Sequence, residues 1–290
     1  MITSHLNQTL GKKGLARHVC SFLIIVVFTA LLIFADGYDT NAIADVDNEE
    51  LVNYAFATWI GSGIYRSGDR KMAILRIPLR YELRTPEEAV PGVKLLLPVT
   101  LGYYDYRNSA VDFGTGAFVP GVELAFPVNN NWTLKPFGQF GVGKDTGNGN
   151  LVYIYGAGLR SLVSVPYNKY TFSIGNSLIL ADERDKHGDI GSGFNMFEAG
   201  LDIRHPLGTS FRGRDLDASV YCVVSRFFNS YEFVEPDGDS DNINTLFEVG
   251  LTLGTDEPFN IWKVSLDRIG IEYRFGDNFS GIGFNMGFPF

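Results

Sequence analysis

The sequence predicts an all-β chain, a transmembrane antiparallel β-barrel of about twelve strands, with ten to fourteen as the range. Three observations carry that prediction. An apolar block with basic residues before it stands near the N-terminus, segments of about ten residues alternate apolar and polar side chains from Leu51 onward, and the last such segment ends on Phe290.

The apolar block is Val19 to Phe34, uncharged and preceded by Lys12, Lys13, Arg17 and His18. A positive region followed by an apolar one is the layout of an export signal. Ala42-Ile43-Ala44 supplies a small-residue cleavage pattern and Ala35 an earlier one. An N-terminal anchor is the rival reading, but the block falls slightly short of the roughly 17–25 residues a spanning helix needs. The expected organisation is a signal peptide and cleavage region over 1–44 and one barrel domain over 45–290.

Composition agrees with alternation. The chain is 45 % hydrophobic and 14 % aromatic with 33 glycines, and its mean hydropathy is +0.03. It is apolar without further apolar blocks. A net charge of −9 argues against nucleic acid as a partner. With Cys20 inside the signal segment, Cys222 stands alone beyond it and no disulfide within the barrel is expected.

The strands are expected near 51–65, 71–84, 93–104, 117–128, 132–143, 151–163, 169–181, 193–205, 216–228, 243–254, 263–275 and 279–290. Leu75, Ile77, Leu79, Tyr81 and Leu83 alternate with Arg76, Pro78, Arg80, Glu82 and Arg84. A soluble sandwich would turn the apolar face inward, whereas a membrane barrel turns it to lipid and the charges to the lumen. The export signal, the aromatic terminus and the aromatic clusters near strand ends favour the barrel. The longest connections, around 105–116, 182–192 and 229–242, then fall on one side, outside the cell. The segments 206–215 and 255–262 are long for turns on the other side. Pro78, Pro98 and Pro127 sit in strand-like runs, where a missing N–H calls for a bulge or strand end.

On this reading the lumen holds Arg76, Arg80, Glu82, Arg84, Lys94, Glu123, Arg160, Glu198, Asp202, Arg204, Asp217, Glu248, Glu272 and Arg274. Both signs are represented, which favours a charge network neutralising itself inside the wall, with a solute pore as the alternative. Ile282, Phe284, Met286, Phe288 and Phe290 give the last strand one greasy face, the pattern of a barrel-assembly signal. Its expected partners are outer-membrane lipid, the barrel-assembly machinery and an extracellular partner bound through the loops.

Two sites of other kinds are weighed. Asp237, Asp239 and Asp241, followed by Glu248, match calcium-loop spacing, although Asn242 stands where that loop has glycine. A solvated acidic loop is the plainer reading. A lipid-modifying acyl hydrolase would need a Ser–His pair near a rim, and His205 with Ser177 or Ser219 is the available combination. No catalytic residue is assigned and no cofactor is expected, since the chain has no P-loop, zinc spacing or dinucleotide fingerprint.

The export signal, the segment LVNYAFATWIGSGIYR after the cleavage region, about twelve strands and the terminal Phe290 together resemble the solitary autotransporter-type outer-membrane barrels. The resemblance covers residues 51–290 and implies placement and fold: a translocator-like barrel in the outer membrane without a passenger. It supplies no substrate and no catalytic residue.

Overall fold

A computed structural model describes residues 53–290 apart from 69, 88–89, 107–112, 146–150, 186–192, 235–239 and 262–263. The expected signal segment lies outside the described residues. Among the described residues the chain forms a short helix, α1 (Tyr54–Ile60), and then thirteen strands. These are β1 (Ser62–Ser67), β2 (Arg70–Arg84), β3 (Gly92–Tyr106), β4 (Phe113–Phe118), β5 (Gly121–Asn129), β6 (Trp132–Asp145) and β7 (Leu151–Tyr167). Then follow β8 (Tyr170–Asp185), β9 (Phe194–Phe211), β10 (Arg214–Val234), β11 (Ser240–Ile261), β12 (Val264–Gly276) and β13 (Phe279–Asn285).

Every described pairing is antiparallel between neighbours in the ring, and β1 pairs with both β2 and β13, so the sheet closes on itself. β4 and β5 pair with β3 and β6 on either side of Val119-Pro120 and are two halves of one wall strand. The barrel therefore has the twelve strands expected. Its polarity is inverted relative to a soluble protein: Leu75, Leu101, Leu201, Val220, Leu251 and Ile271 are exposed, while Glu198, Asp202, Glu248 and Glu272 are buried.

The prolines sit where their missing N–H costs least. The Arg76 N–H donates to Ser62 Oγ, which places the even-numbered N–H groups of β2 on the β1 side. Pairing with β1 stops at Gly63↔Ile74, so the side that Pro78 leaves empty has no strand beside it. Pro98 lies directly across from Pro78, and by the same alternation its nitrogen faces the β4/β5 break. Pro127 adjoins a register shift in the β5–β6 ladder.

Three expectations are corrected. The first concerns 51–65, read as a strand, of which 54–60 is helix. Asn53 Oδ1 accepts the Phe56 N–H at 2.6 Å as its N-cap, and Gly61 leaves the helix at φ +87°. Tyr54, Ala55, Phe56, Ala57, Thr58 and Ile60 are all buried, the signature of a helix surrounded by protein and not of a wall strand with one lipid face. Secondly, 206–215 is no long turn. β9 and β10 run to Phe211 and from Arg214, joined by Arg212 (φ 52°) and Gly213 (φ 79°), the positive-φ pair that matches hairpin twist. The segment 255–262 is likewise mostly strand, with β11 running to Ile261. The last correction is that β13 ends at Asn285 and not at 290. Gly287 (φ +110°) turns the chain inward, and Phe290 is buried beside Tyr221 and Val223.

Candidate functional site in the lumen

The helix α1 lies among lumen-facing side chains at the barrel end that carries the longest connections. Phe56 meets Phe194, Phe227 and Phe279 at ring-centroid distances of 6.4, 6.4 and 6.0 Å, and Trp59 meets Phe194 and Phe227 at 5.9 and 5.8 Å. These edge and tilted contacts form a dry aromatic cluster where the lumen would otherwise open.

Both ends of α1 are tied to charged wall residues. Glu183 of β8 accepts the Ala55 N–H at 2.7 Å through Oε2, supplying a partner that a helix start lacks. Arg274 of β12 donates through Nη1 to the Ile60 carbonyl at 2.6 Å and lies over the Trp59 ring at 5.4 Å. A carboxylate at the first turn and a guanidinium at the last carbonyls is the arrangement a helix end favours.

Arg274 is also the centre of a buried network. Its Nε lies 2.7 Å from Glu248 Oε2 and its Nη2 lies 3.1 Å from Glu272 Oε1. The Tyr221 hydroxyl sits 2.6 Å from Glu248 Oε1 and 3.0 Å from Glu272 Oε2, and it accepts from Asn285 Nδ2 at 2.8 Å. The two carboxylates thus share one guanidinium and one phenol, and the guanidinium reaches the plug. Ser177 and Ser225 donate to the two oxygens of Glu198 at 2.5 and 3.2 Å. Arg268 pairs with Asp217 and donates through Nε to Thr252 at 3.0 Å.

The lumen residues expected from alternation fall on the inner face with one exception. Arg84, next to a register shift, is exposed and donates through Nε to the Pro91 carbonyl at 2.8 Å, so it belongs to the rim. Arg80 and Glu82 are solvent-exposed, and Arg204 lies within electrostatic reach of buried Asp202. Sequence reasoning missed Glu183, placed in a loop, and Arg268, although it shares the β12 parity of Glu272 and Arg274 and alternation could have found it. It also missed Lys135, whose β6 neighbours are apolar or small. Asn53 followed by an alanine-containing run and Gly61 was the available signal for α1.

The signs are not evenly mixed. Arg76, Arg80, Lys94, Lys135 and Arg160 lie on β2–β7 with two carboxylates, Glu82 across from Lys94 and Glu123, which Arg160 holds at 2.9 Å. The carboxylates Glu198, Asp202, Asp217, Glu248 and Glu272 lie on β9–β12 with three cations, Arg204, Arg268 and Arg274. Residue-type counting along the sequence could not show this separation around the ring.

The greasy face expected of 279–290 splits. Ile282, Phe284 and Met286 point outward and are exposed, while Phe288 and Phe290 turn into the lumen and pack on each other at 4.9 Å. Gly175 and Gly200 make their socket: a Cβ on Gly175 would fall 2.2 Å from the Phe290 ring, and one on Gly200 would meet both rings at 2.9 Å.

His205 does not meet the serines. It lies tilted against Tyr170 at 4.9 Å on the alternate, outward face, whereas Ser177 and Ser219 are buried on the inner one. Asp237 and Asp239 lie outside the described residues, as does the Asp241 side chain. Glu248 is engaged by Arg274 and Tyr221 inside the barrel, which removes it as the closing ligand of a calcium loop.

The arrangement defines a closed antiparallel barrel with an internal plug. It is similar to the β domain of the Bordetella autotransporter BrkA, at 13 % identity and a TM-score of 0.49, over 78 % of this chain and 96 % of that one. It is also similar to the NanC porin, at 14 % identity and a TM-score of 0.36, over 78 % of this chain and 98 % of that one. No protein-family model matches the chain, and no curated protein matches it.

Proposed function

We propose that this chain is an integral outer-membrane β-barrel of the autotransporter-translocator type, a structural, pore-like wall whose lumen is held shut by its own α1. The observation that carries the reading is the coupling of two features in one ring. An outward apolar belt faces lipid, and the lumen it encloses is filled by a helix anchored at both ends to wall charges. Export through the apolar block Val19–Phe34 accounts for delivery to the periplasm, and the long connections then face outward, where a partner would meet them. The alternation ending in Phe284, Met286, Phe288 and Phe290 serves the chain before it closes, as the segment offered to the barrel-assembly machinery.

The test pairs electrophoresis with electrophysiology. The full chain, refolded in detergent, is expected to migrate differently before and after boiling, and in planar bilayers to give small or no conductance. Phe56→Ala combined with Trp59→Ala removes the aromatic seal and is expected to produce discrete open steps. Identical migration before and after boiling, or solubility of the folded chain without detergent, overturns the reading.

A further inference from the structure

We infer that the lipid-facing surface of β7–β9 is an interface for a second copy of this chain, the two barrels meeting through Asn176. The inference rests on the barrel reading above and adds a partner to it.

Alternation carries the first part of the argument. On β8 the odd-numbered Ser173, Ser177 and Ile179 are buried inside, so the even-numbered Phe172, Ile174, Asn176, Leu178 and Leu180 face lipid. Tyr170 and Asp182 bound this run, which puts Asn176 at the middle of the apolar belt with two apolar residues on either side. Its side chain makes no hydrogen bond among the described residues. Ser161 of β7 lies directly across from it, but the Ser161 Oγ accepts from Trp132 Nε1 at 2.9 Å and does not bond the amide. Lipid tails offer neither donor nor acceptor, so an amide at that depth loses the bonds that water would give and regains them only across a protein interface.

The surroundings show how a partner approaches. On its other side Asn176 faces Ala199 of β9. Ser161, Asn176 and Ala199 make a row of smaller side chains in the belt. Leu159, Leu178 and Phe197 border it on one side and Val163, Ile174 and Leu201 on the other. The row is a dip with an amide in it.

Chemistry and symmetry then select the occupant. An amide carries two N–H donors and one carbonyl acceptor, so it is complementary to another amide. Copies inserted in one membrane share one orientation, which leaves a two-fold axis along the membrane normal as the symmetry of a closed pair. Such an axis beside β8 brings Asn176 onto its own image, and the two amides exchange a pair of N–H···O bonds. Leu178, Phe197, Ile174 and Leu201 meet their counterparts around them and keep lipid out. A phospholipid does not serve, because its acceptors lie at the headgroup level, away from the middle of the belt.

The test measures sedimentation equilibrium of the refolded full chain over a range of protein-to-detergent ratios. A monomer–dimer equilibrium is expected for the wild type. Asn176→Leu is expected to weaken it about tenfold and Asn176→Gln, which keeps the amide, to retain it. Asn176→Leu takes an unpaired polar group out of lipid, so its barrel is expected to shift on boiling as the wild type does. In vesicles of phosphatidylethanolamine and phosphatidylglycerol, with Cys222→Ser removing the exposed native thiol, Leu178→Cys is expected to give a dimer with a short bismaleimide. Leu75→Cys, on exposed β2 across the ring, is expected to give none. A wild-type barrel that shifts on boiling yet stays monomeric at every ratio overturns the interface and leaves the barrel reading intact. Undiminished association of Asn176→Leu, or equal cross-linking at both cysteines, overturns it too. Cross-linking of Leu178→Cys in whole outer membranes to a product of any mass but twice that of the chain overturns self-pairing in favour of a different membrane protein. A chain that does not shift on boiling overturns both readings.

Discussion

Arg274 is the residue at which wall stability and lumen closure meet, so Arg274→Met separates a structural charge from a dispensable one. The change keeps much of the side-chain volume and removes the charge. It strips the guanidinium from Glu248 at 2.7 Å and Glu272 at 3.1 Å and leaves the Ile60 carbonyl without its donor at 2.6 Å. Both carboxylates stay buried, with only the Tyr221 hydroxyl and its one proton between them. Removing one partner of a buried ion pair costs about 3–5 kcal/mol, and losing a hydrogen bond to a charged group costs about 1.5–3 kcal/mol. The two overlap, so the total expected is about 4–6 kcal/mol. Urea unfolding in detergent, followed by loss of the unboiled electrophoretic form, measures it. The triple change Arg274→Met, Glu248→Gln and Glu272→Gln is expected to recover more than half of the loss, because it removes the stranded charges along with their partner. In bilayers Arg274→Met alone is expected to flicker open, since α1 loses one of its two anchors. A loss below about 1 kcal/mol, or no recovery in the triple variant, would refute the account of this network as a compensated buried charge.

Other perturbations probe the remaining contacts. Phe56→Ala is expected to cost about 3–5 kcal/mol, the range for emptying a buried aromatic site, read by the same unfolding assay. Gly175→Ala puts a Cβ 2.2 Å from the Phe290 ring; a loss of about 1–3 kcal/mol is expected, and it should vanish in a Phe290→Ala background, where the socket is empty. In the β12–β13 turn, Asp277 accepts the Asn244 and Thr245 N–H groups at 2.8 and 3.0 Å, and these bonds hold its carboxyl below the usual range. A lowered folded value means the tie is complete above the ordinary carboxylate value of 3.8 and is lost as pH falls through the lower folded one. The amide shifts of Asn244 and Thr245 in detergent NMR should accordingly titrate with a midpoint below 3.8 and stay flat in Asp277→Ala.

The legible part of this molecule is the part that period two controls. Alternation places Leu75 and Ile271 outside and Glu198, Glu248, Glu272 and Arg274 inside because each wall strand separates lipid from lumen, and a one-residue slip would reverse every contact. What alternation cannot reach is any segment that leaves the wall. In 54–60 both faces are apolar because the helix is surrounded on all sides, and period two has nothing to report there. Phe288 and Phe290 keep the outward pattern of Phe284 in sequence, yet one positive-φ turn at Gly287 sends them inward, where Gly175 and Gly200 leave room. Charge separation is hidden for a related reason. Lys135, Arg160 and Arg76 come from three strands and Asp202 and Glu272 from two others, so their grouping exists only once the ring has closed. The consequence is that a mixed charge count along this chain says nothing of selectivity. A barrel with the same composition and the Lys135 and Glu198 positions exchanged would keep its fold pattern and its net charge. It would carry one cation and one carboxylate to other parts of the ring, a change that no count along the sequence registers.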